Sequence, residues 1–372
     1  MLSVLVTIRS YKFSRHSFGF GRLKKFNEIR LFSTVHENTN KEAATNDVMI
    51  TGLNGVQDIS VKVVSCREIV QEVLRRNTFT PLAAKHLGEL LACSIMMGSG
   101  LKGEETQQIN LVGIHGLKNI MSITDGDLKI RGMVGNPQFA LEDEAEVRMD
   151  QLLGPGEIQI VRSHPAWKHP MNGITELRNL SIPLNLALYM AESEQRPTAM
   201  ITDVRIEGNT CIAALGVMIE TLPGATNENI ENSITNLNTV QKKGLFTYFT
   251  ENNNTQPNNS QESTDNNDIK PMFSSLSGGE ITSEQQQRAV ELFASLDSPL
   301  DRILDDCLQS MDSGSIRWEK QPIYQCTCGV DKVWRALRLL PIEEVQDIVK
   351  QDENIEVILV ILLLTLYVVF SY

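Results

Sequence analysis

Residues 108–134 of the chain spell QINLVGIHGLKNIMSITDGDLKIRGMV, in which apolar runs alternate with short polar turns. The three runs are Gln108–Ile114, Ile120–Thr124 and Leu128–Val134, and the turns between them contain His115-Gly116 and Asp125-Gly126. A glycine beside a polar residue, placed between two apolar runs, is typical of a β-hairpin. The segment therefore predicts an antiparallel meander of three strands.

The sequence on both sides of this meander mixes further strands with helices. Apolar spacing predicts helices at Cys66–Arg76, Leu82–Met97 and Pro183–Ser193, and strands at Ile59–Ser65, Glu157–Arg162, Thr198–Ile206 and Ala213–Glu220. These elements follow no regular βαβ order, which indicates the α+β class rather than a parallel α/β sheet. We expect a mixed-sheet core domain over residues 57–245.

Composition and charge narrow the classes of function. The chain has 372 residues, 41% of them hydrophobic and 22% charged, which is sufficient for two or three globular units. Six cysteines are too few for a disulfide-stapled secreted scaffold of this length. The net charge of −12 repels phosphate backbones, so we expect no nucleic-acid partner.

The first 36 residues differ from the rest of the chain. They contain seven basic residues and one acidic residue, a net charge of +6, which leaves −18 for the remainder. A basic, serine-containing leader without a continuous apolar block is typical of an organelle transit peptide. We expect residues 1–36 to direct the protein to the soluble mitochondrial matrix and residues 37–56 to form a bridge. A plastid transit peptide and a disordered basic arm are the alternatives.

Two segments of contrasting composition follow the core. Residues 246–281 form an Asn-rich insertion, in which Glu251–Asp268 has seven Asn and two Gln and no large apolar side chain. Such a segment cannot bury enough surface to offset its ordering entropy, so we expect it to be disordered. Residues 282–315 are amphipathic and predict a helical linker that Pro299 interrupts. The apolar stripe of this linker contains Val290, Phe293, Leu296, Leu300, Ile303 and Leu304.

No motif in the core indicates catalysis, so we predict that the protein is not an enzyme. Gly98–Gly103 has the spacing GxGxxG, but it follows a predicted helix rather than a strand, which favours a helix end and a loop. A dinucleotide-dependent oxidoreductase is therefore the third and least favoured function. Three single cysteines, Cys66, Cys93 and Cys211, lie inside predicted helices or strands, which favours a role in core packing. Two histidines, His164 and His169, lie in a loop broken by proline, which favours a position on the surface.

Cys326-Thr327-Cys328 is the strongest chemical signal in the chain. Two thiols separated by one residue can bind a soft metal ion or form a disulfide, with chance adjacency as the alternative. A structural zinc site requires four ligands, and no Cys or His follows Cys328. The nearest further thiol is Cys307, nineteen residues before Cys326.

Four segments together resemble the redox-regulated holdase chaperones of the heat shock protein 33 family. They are QCTCGVDKVWRALRLLPIEEVQDIVKQDENIEV (residues 325–357), MMGSGLKGEETQQINL (96–111), GNPQFAL (135–141) and ETLPGATNENI (220–230). The resemblance implies an α+β core, a helical linker and a small C-terminal zinc-binding domain. It also implies zinc as a cofactor, unfolded client proteins as partners and a homodimer as an oxidised form, and bacterial relatives of this kind are cytoplasmic.

By the same resemblance, Cys326 and Cys328 match the first of two cysteine pairs that bind zinc and form disulfides on oxidation. The second pair, CxxC, falls where this chain has Leu359 and Leu362. We therefore expect an incomplete zinc-binding-type domain at residues 316–357.

The last sixteen residues, VILVILLLTLYVVFSY from Val357, carry no charge. A helical membrane span needs about 20 apolar residues, so this run is short for one. It could be a short tail anchor, a buried strand or non-native sequence from a retained intron or shifted frame. Because the family pattern stops abruptly at Val357, we favour non-native sequence over residues 358–372.

The expected function is that of an ATP-independent, redox-regulated holdase that binds unfolded proteins under oxidative stress and prevents their aggregation. The six apolar linker residues named above are the expected client-binding surface. The alternative is a constitutive, membrane-tethered protein that binds unfolded chains and has lost its redox switch, although we do not favour a membrane partner.

Overall fold

The computed structural model describes residues 5–7, 47–142, 147–250, 297–311, 316–326 and 354–356, and the chain divides into two units. One unit consists of residues 1–43 together with residues 326–372. Its described strands, β1 (Leu5–Thr7) and β13 (Asn354–Glu356), pair antiparallel. The other unit, residues 44–325, is called the core unit below.

The core unit contains a five-stranded sheet with the strand order β11-β2-β3-β10-β9. Its strands are β2 (Val48–Leu53), β3 (Ile59–Ser65), β9 (Thr198–Glu207), β10 (Thr210–Thr221) and β11 (Ile316–Lys320). All neighbouring strands in this sheet pair antiparallel. Every residue of β3 is buried, because both faces of the sheet are covered, and Lys62 is buried beside its ion-pair partner Glu220.

A six-stranded sheet has the order β12-β6-β5-β4-β7-β8. Its strands are β4 (Thr106–Gly113), β5 (Asn119–Asp125), β6 (Lys129–Val134), β7 (Gly156–Ser163), β8 (Met171–Glu176) and β12 (Ile323–Tyr324). β12 and β6 are parallel, and the other pairs are antiparallel. The predicted meander is confirmed as β4, β5 and β6, and the α+β class is confirmed with it.

Seven described helices accompany the sheets. They are α1 (Arg67–Arg76), α2 (Pro81–Gly98), α3 (Met149–Leu152), α4 (Ile182–Ser193), α5 (Asn227–Lys243), α6 (Thr247–Thr250) and α7 (Asp297–Leu308). The start of α2 is defined by Thr80, whose hydroxyl accepts a hydrogen bond from the Ala83 amide at 3.2 Å. Pro81 occupies the first helical position, where the missing amide proton costs nothing.

Helix α2 lies at the centre of the larger hydrophobic core. It packs against β3, β9 and β10 of one sheet and against β4, β5 and β6 of the other. The core joins its side chains with the facing side chains of both sheets, including Leu87, Leu90, Leu91, Ile95, Met96, Ile109, Leu111, Ile120, Ile160 and Met218. Nearly every residue of α2 is buried, so its amphipathic pattern is weak, as expected of a helix between two layers.

A second hydrophobic core occupies the opposite face of the five-stranded sheet. There α5, α6 and α7 supply side chains that pack with alternate residues of β2, β3 and β10. The helical contributors include Leu237, Val240, Tyr248, Phe249, Leu300, Ile303 and Leu304. The five-stranded sheet is thus covered on both faces, by α2 on one side and by α7 with α5 and α6 on the other.

Three features of the core unit differ from the sequence predictions. Strand β2 lies inside residues 37–56, which were expected to form a bridge only. Strand β11 lies in the segment assigned to the zinc-binding domain, yet it pairs with β2, and the core unit extends to Gln325. The sequence of β11, IRWEK, alternates two apolar and two charged residues, but the run is short and all five residues are exposed or half-buried, so it predicts a strand only weakly.

Pro299 lies near the start of α7 and not in its interior. It is the third residue of α7, in the first turn, where the backbone amide has no helical partner to lose. The predicted Asn-rich insertion begins later than expected, because α6 lies within residues 246–281 and Tyr248 and Phe249 are buried in the second core. Residues 251–281, the first part of the amphipathic linker, the leader apart from β1, and the apolar tail lie outside the described residues.

Candidate functional site

Helix α7 covers one apolar face of the five-stranded sheet. Leu300, Ile303 and Leu304 point inward and are completely buried, packed in the second core with residues of β2 and β3. These are three of the six predicted client-binding residues. The other three, Val290, Phe293 and Leu296, lie outside the described residues.

Gly52 of β2 allows the close approach of this helix. A Cβ atom at position 52 would lie 2.9 Å from Leu304 Cδ1 and 3.2 Å from Leu308 Cδ1, closer than ordinary van der Waals contact. The absence of a side chain at Gly52 therefore creates the hollow into which α7 packs. Sequence analysis missed this residue, because a glycine in a strand carries no signal of what approaches it.

The sheet residues beneath α7 form a continuous apolar surface. They are Val48 and Ile50 of β2 and Ile59, Val61 and Val63 of β3, all of them buried in the second core. In this conformation α7 shields the surface from solvent. We call it the α7-covered face.

Polar contacts at the rim complete the attachment of α7. The Tyr248 hydroxyl donates a hydrogen bond to Asp306 at 2.6 Å. The Asn236 side chain donates to the carbonyl oxygens of Cys307 at 3.1 Å and Gln309 at 2.7 Å, and so satisfies two carbonyls at the helix C-terminus. Arg317 of β11 forms ion pairs with Asp301, at 3.2 Å, and with Asp305.

Residues 316–325, called the strap below, follow α7 and add one strand to the edge of each sheet. β11 pairs with β2, and the Lys320 ammonium group donates to the Ser99 carbonyl oxygen at 3.1 Å, at the end of α2. β12 pairs with β6, and the Gln325 amide donates to the Ile130 carbonyl oxygen at 2.9 Å. The next residue in the chain is Cys326, so the CxC pair directly continues the strap.

The two cysteines predicted to bind zinc are not both described. Cys326 is half-buried, and Cys328 lies outside the described residues. Within the described ranges no group of three or more His, Cys, Asp or Glu side chains lies close enough to hold a metal ion. Two thiols supply half of the four ligands of a structural zinc site, so the donors present do not fit such a site.

Cys307 does not supply a third ligand in this conformation. Its side chain is completely buried in the second core, where burial raises the pKa of the thiol to about 12. Because apolar side chains of the second core enclose this thiol, it is not presented to a metal ion in this conformation.

The remaining sequence candidates lie where the core and loop interpretations placed them. Cys66, Cys93 and Cys211 are completely buried, and burial raises the pKa of each thiol, as expected of inert core residues. Helix α2 ends at Gly98, and the Leu101 amide donates to the Gly98 carbonyl at 3.0 Å, which makes Gly98–Gly103 a turn after a helix. His164 and His169 lie in the loop between β7 and β8.

A helix that crosses a membrane must be both long and predominantly apolar. None of the described helices meets both requirements.

The fold of this chain is similar to that of a solved chaperonin structure. The crystal structure of the 33 kDa chaperonin from Thermotoga maritima, a heat shock protein 33 homologue, matches 82% of this chain and 89% of its own chain with a TM-score of 0.61. Sequence identity to it is 19%, so this match shows the fold.

Sequence comparisons then identify the family. The family model described as Hsp33 protein matches residues 47–358. The 33 kDa chaperonin of Staphylococcus haemolyticus is 24% identical over 84% of this chain and 92% of its own length. That of Desulforamulus reducens is 31% identical over 47% of this chain and 60% of its own length. The chain therefore belongs to the Hsp33 family of chaperones, which are not enzymes.

Proposed function

We propose that this protein is an ATP-independent holdase that captures unfolding proteins on the α7-covered face and prevents their aggregation. The observation that carries the proposal is the burial of Leu300, Ile303 and Leu304 against an apolar sheet face by a short helix. Opening of α7 would expose apolar side chains on both the helix and the sheet. Such a surface suits clients whose own apolar residues are exposed.

The energetics of α7 favour a conformation that can open. A 12-residue helix is marginal in water by itself and depends on packing of its apolar face. Each fully buried Leu or Ile contributes about 1.5–3 kcal/mol. Packing must also offset the cost of ordering the helix backbone, about 1–2 kcal/mol per residue. We therefore propose that α7 stays docked only while its contacts with the sheet and the strap are intact, so that a change elsewhere in the chain can release it.

Redox regulation is proposed to act through Cys326 and Cys328, because they continue directly from the strap that holds α7. In this reaction two thiols give two protons and two electrons to a peroxide, which forms one disulfide and two water molecules. With leucine at positions 359 and 362, the second cysteine pair of the family is absent. We therefore propose that the redox response of this chain is weak and that it holds little zinc.

Zinc content and aggregation assays test both parts of this proposal. The purified, reduced full chain should contain far less than one zinc per chain, and stoichiometric zinc would contradict the proposed regulation. The same chain should suppress aggregation of a thermally unfolding client, measured by light scattering, with only a small further gain after peroxide. Cys326→Ser should change either result little. A chain that fails to suppress aggregation before and after peroxide would contradict the holdase function itself.

The place of action is proposed to be the mitochondrial matrix. The net charge of +6 over residues 1–36 supports import. Mass spectrometry of the mature protein from cells should find roughly the first 30–36 residues removed, the span of that basic leader. An intact Met1 in the cytosol would contradict import.

A further inference from the structure

The strap occupies two strand edges that the core unit would otherwise leave open. β2 lies between β3 and β11, and β6 lies between β5 and β12. Without the strap, β2 and β6 would each become the edge strand of a sheet. An edge strand presents a row of unpaired backbone amides and carbonyls, which can pair with another extended chain.

The part of the strap on the β2 edge, β11, is more exposed than the strand on the other side of β2. Every residue of β11 is exposed or half-buried, with Ile316 47% and Trp318 43% exposed, whereas β3, on the other side of β2, is completely buried. The hydroxyl oxygen of Thr51, which faces Trp318 in the strand register, is buried and has no hydrogen-bond partner among the described residues. Backbone pairing with β2 and the polar contacts of Arg317 and Lys320 therefore hold β11, while its apolar side chains bury little surface.

The β2 edge is also continuous with the proposed client surface. Val48 and Ile50 belong to the α7-covered face, and Gly52 forms the hollow beneath Leu304 and Leu308. A chain paired along β2 would place alternate side chains over this face, because successive residues of a strand point to opposite sides.

We propose that the strap is an internal substitute for a client, and that once it leaves, the edges of β2 and β6 bind extended segments of unfolded polypeptide by backbone pairing. This inference rests on the holdase function proposed above and names the conformation of the bound client. The partner is an extended chain with free backbone amides and apolar residues at alternate positions. Strand addition of this kind obtains its affinity from the main chain and accepts many sequences, which a general holdase requires.

The experiment uses a labelled peptide with the strap sequence, IRWEKQPIYQ (residues 316–325). The full-length variant Trp318→Pro with Glu319→Pro removes adjacent backbone amides, so β11 cannot pair in its present register. In the unaltered chain the strap competes with the peptide intramolecularly, at a high effective concentration. The proline variant should therefore bind the peptide at least about tenfold more tightly than the unaltered chain does.

Backbone methylation of the peptide separates strand pairing from side-chain binding. One peptide carries N-methyl groups at the residues equivalent to 316, 318 and 320, and a second carries them at 317 and 319. Because alternate residues of a strand donate to a given neighbour, one of these peptides should lose binding and the other should retain it. If both bind as well as the unmodified peptide, backbone pairing is excluded and the inference is wrong.

Two further variants control for the effect of proline in an edge strand and for the loss of the side-chain contacts of the strap. Ile174→Pro with Thr175→Pro places the same disruption in β8, the edge strand at the far end of the other sheet, and should not increase peptide binding. Arg317→Ala with Lys320→Ala removes the contacts to Asp301, Asp305 and Ser99 without proline, and should give a smaller gain. If neither strap variant binds the peptide better than the unaltered chain, the inference is also wrong.

Aggregation assays on the same preparations distinguish this inference from the function on which it rests. Suppression of aggregation without discrimination between the methylated peptides would reject edge pairing and leave the holdase function intact. Absence of suppression in every variant would reject the holdase function. A concentration-dependent dimer of the proline variant that binds no peptide, detected by sedimentation, would show that a second copy of the chain occupies the edge and would also contradict the inference.

Discussion

Helices α2 and α7 cover opposite faces of the same sheet, but they are held in different ways. α2 has 18 residues, lies between two sheets and is buried on nearly all sides. α7 has 12 residues, covers β2 and β3 from one side, and among the described elements also contacts α5, α6 and the strap. Removing α2 would destroy the larger core, whereas removing α7 would leave that core in place.

The difference shows how one sheet can be both a scaffold and a binding surface. Proteins open in local units, and the free energy of opening follows the buried contacts that each unit makes. The contacts of α7 form a small, separable set, so its opening need not unfold the α2 side of the sheet. The following variants test this separation, from the largest expected effect to the smallest.

Leu91→Ala should cause the greatest loss of stability. Leu91 is completely buried in the α2 core, where a leucine-to-alanine change costs about 2–5 kcal/mol because it removes contacts and leaves a cavity. Urea unfolding should show this loss for the whole core unit, without a selective gain in client binding at low denaturant. If Leu91→Ala instead caused an opening confined to α7, the two faces of the sheet would not be independent of each other, which would contradict the comparison.

Leu304→Ala removes a leucine that is equally buried, but its effect on the core unit should be smaller. Once α7 has detached, weakening it further cannot destabilise the rest of the unit, so the loss is limited by the free energy of α7 opening. Client binding should increase, measured as suppression of light scattering. A loss of global stability equal to that of Leu91→Ala, with no gain in client binding, would contradict the comparison.

Gly52→Ala should favour the open state without removing any contact. The added Cβ would lie 2.9 Å from Leu304 Cδ1, so α7 must shift outward. Gly100→Ala is the matched control, because a Cβ at that position would meet nothing within 4 Å. The first variant should become more susceptible to proteolysis near α7, and the second should behave like the unaltered chain. Equal susceptibility in both would mean that the hollow at Gly52 does not control the position of α7.

Arg317→Gln should have the smallest effect. Its ion pairs with Asp301 and Asp305 are partly exposed, and such pairs contribute about 0–1 kcal/mol. Arg178→Gln, which breaks a comparably exposed pair with Glu192 of α4, is the control. Only the Arg317 variant should show a slight gain in client binding, because only that pair joins the strap to α7. The gain should disappear at high salt, where the ion pair of the unaltered chain is also screened.

The elements around α2 could be predicted from the sequence better than α7, the strap and the elements that contact them. The meander, α2 and β10 carry strong apolar periodicity because they are deeply buried, and their predicted bounds differ from the structure by a few residues. The strand β11 and the helix α5 were missed because their residues are largely polar or exposed. Gly52 lies beneath α7, and Lys320 donates to the end of α2, so the partners of both residues come from distant parts of the chain. Local sequence patterns carry no information on such contacts.

The client-binding prediction remains to be tested. Leu300, Ile303 and Leu304 are buried rather than available, so a surface role requires α7 to open. The redox site also remains a prediction, since only Cys326 of the pair lies among the described residues.

Hydrogen exchange of the full chain, with and without an unfolded client, tests the separation of the two sheet faces most directly. Amides of α7 and β11 should exchange through an opening that costs much less free energy than the exchange of α2 and β10, and a bound client should slow exchange in β2. If α7 instead exchanges only when α2 does, with the same denaturant dependence, α7 is an inseparable part of the core. That result would contradict the proposal that the α7-covered face binds clients.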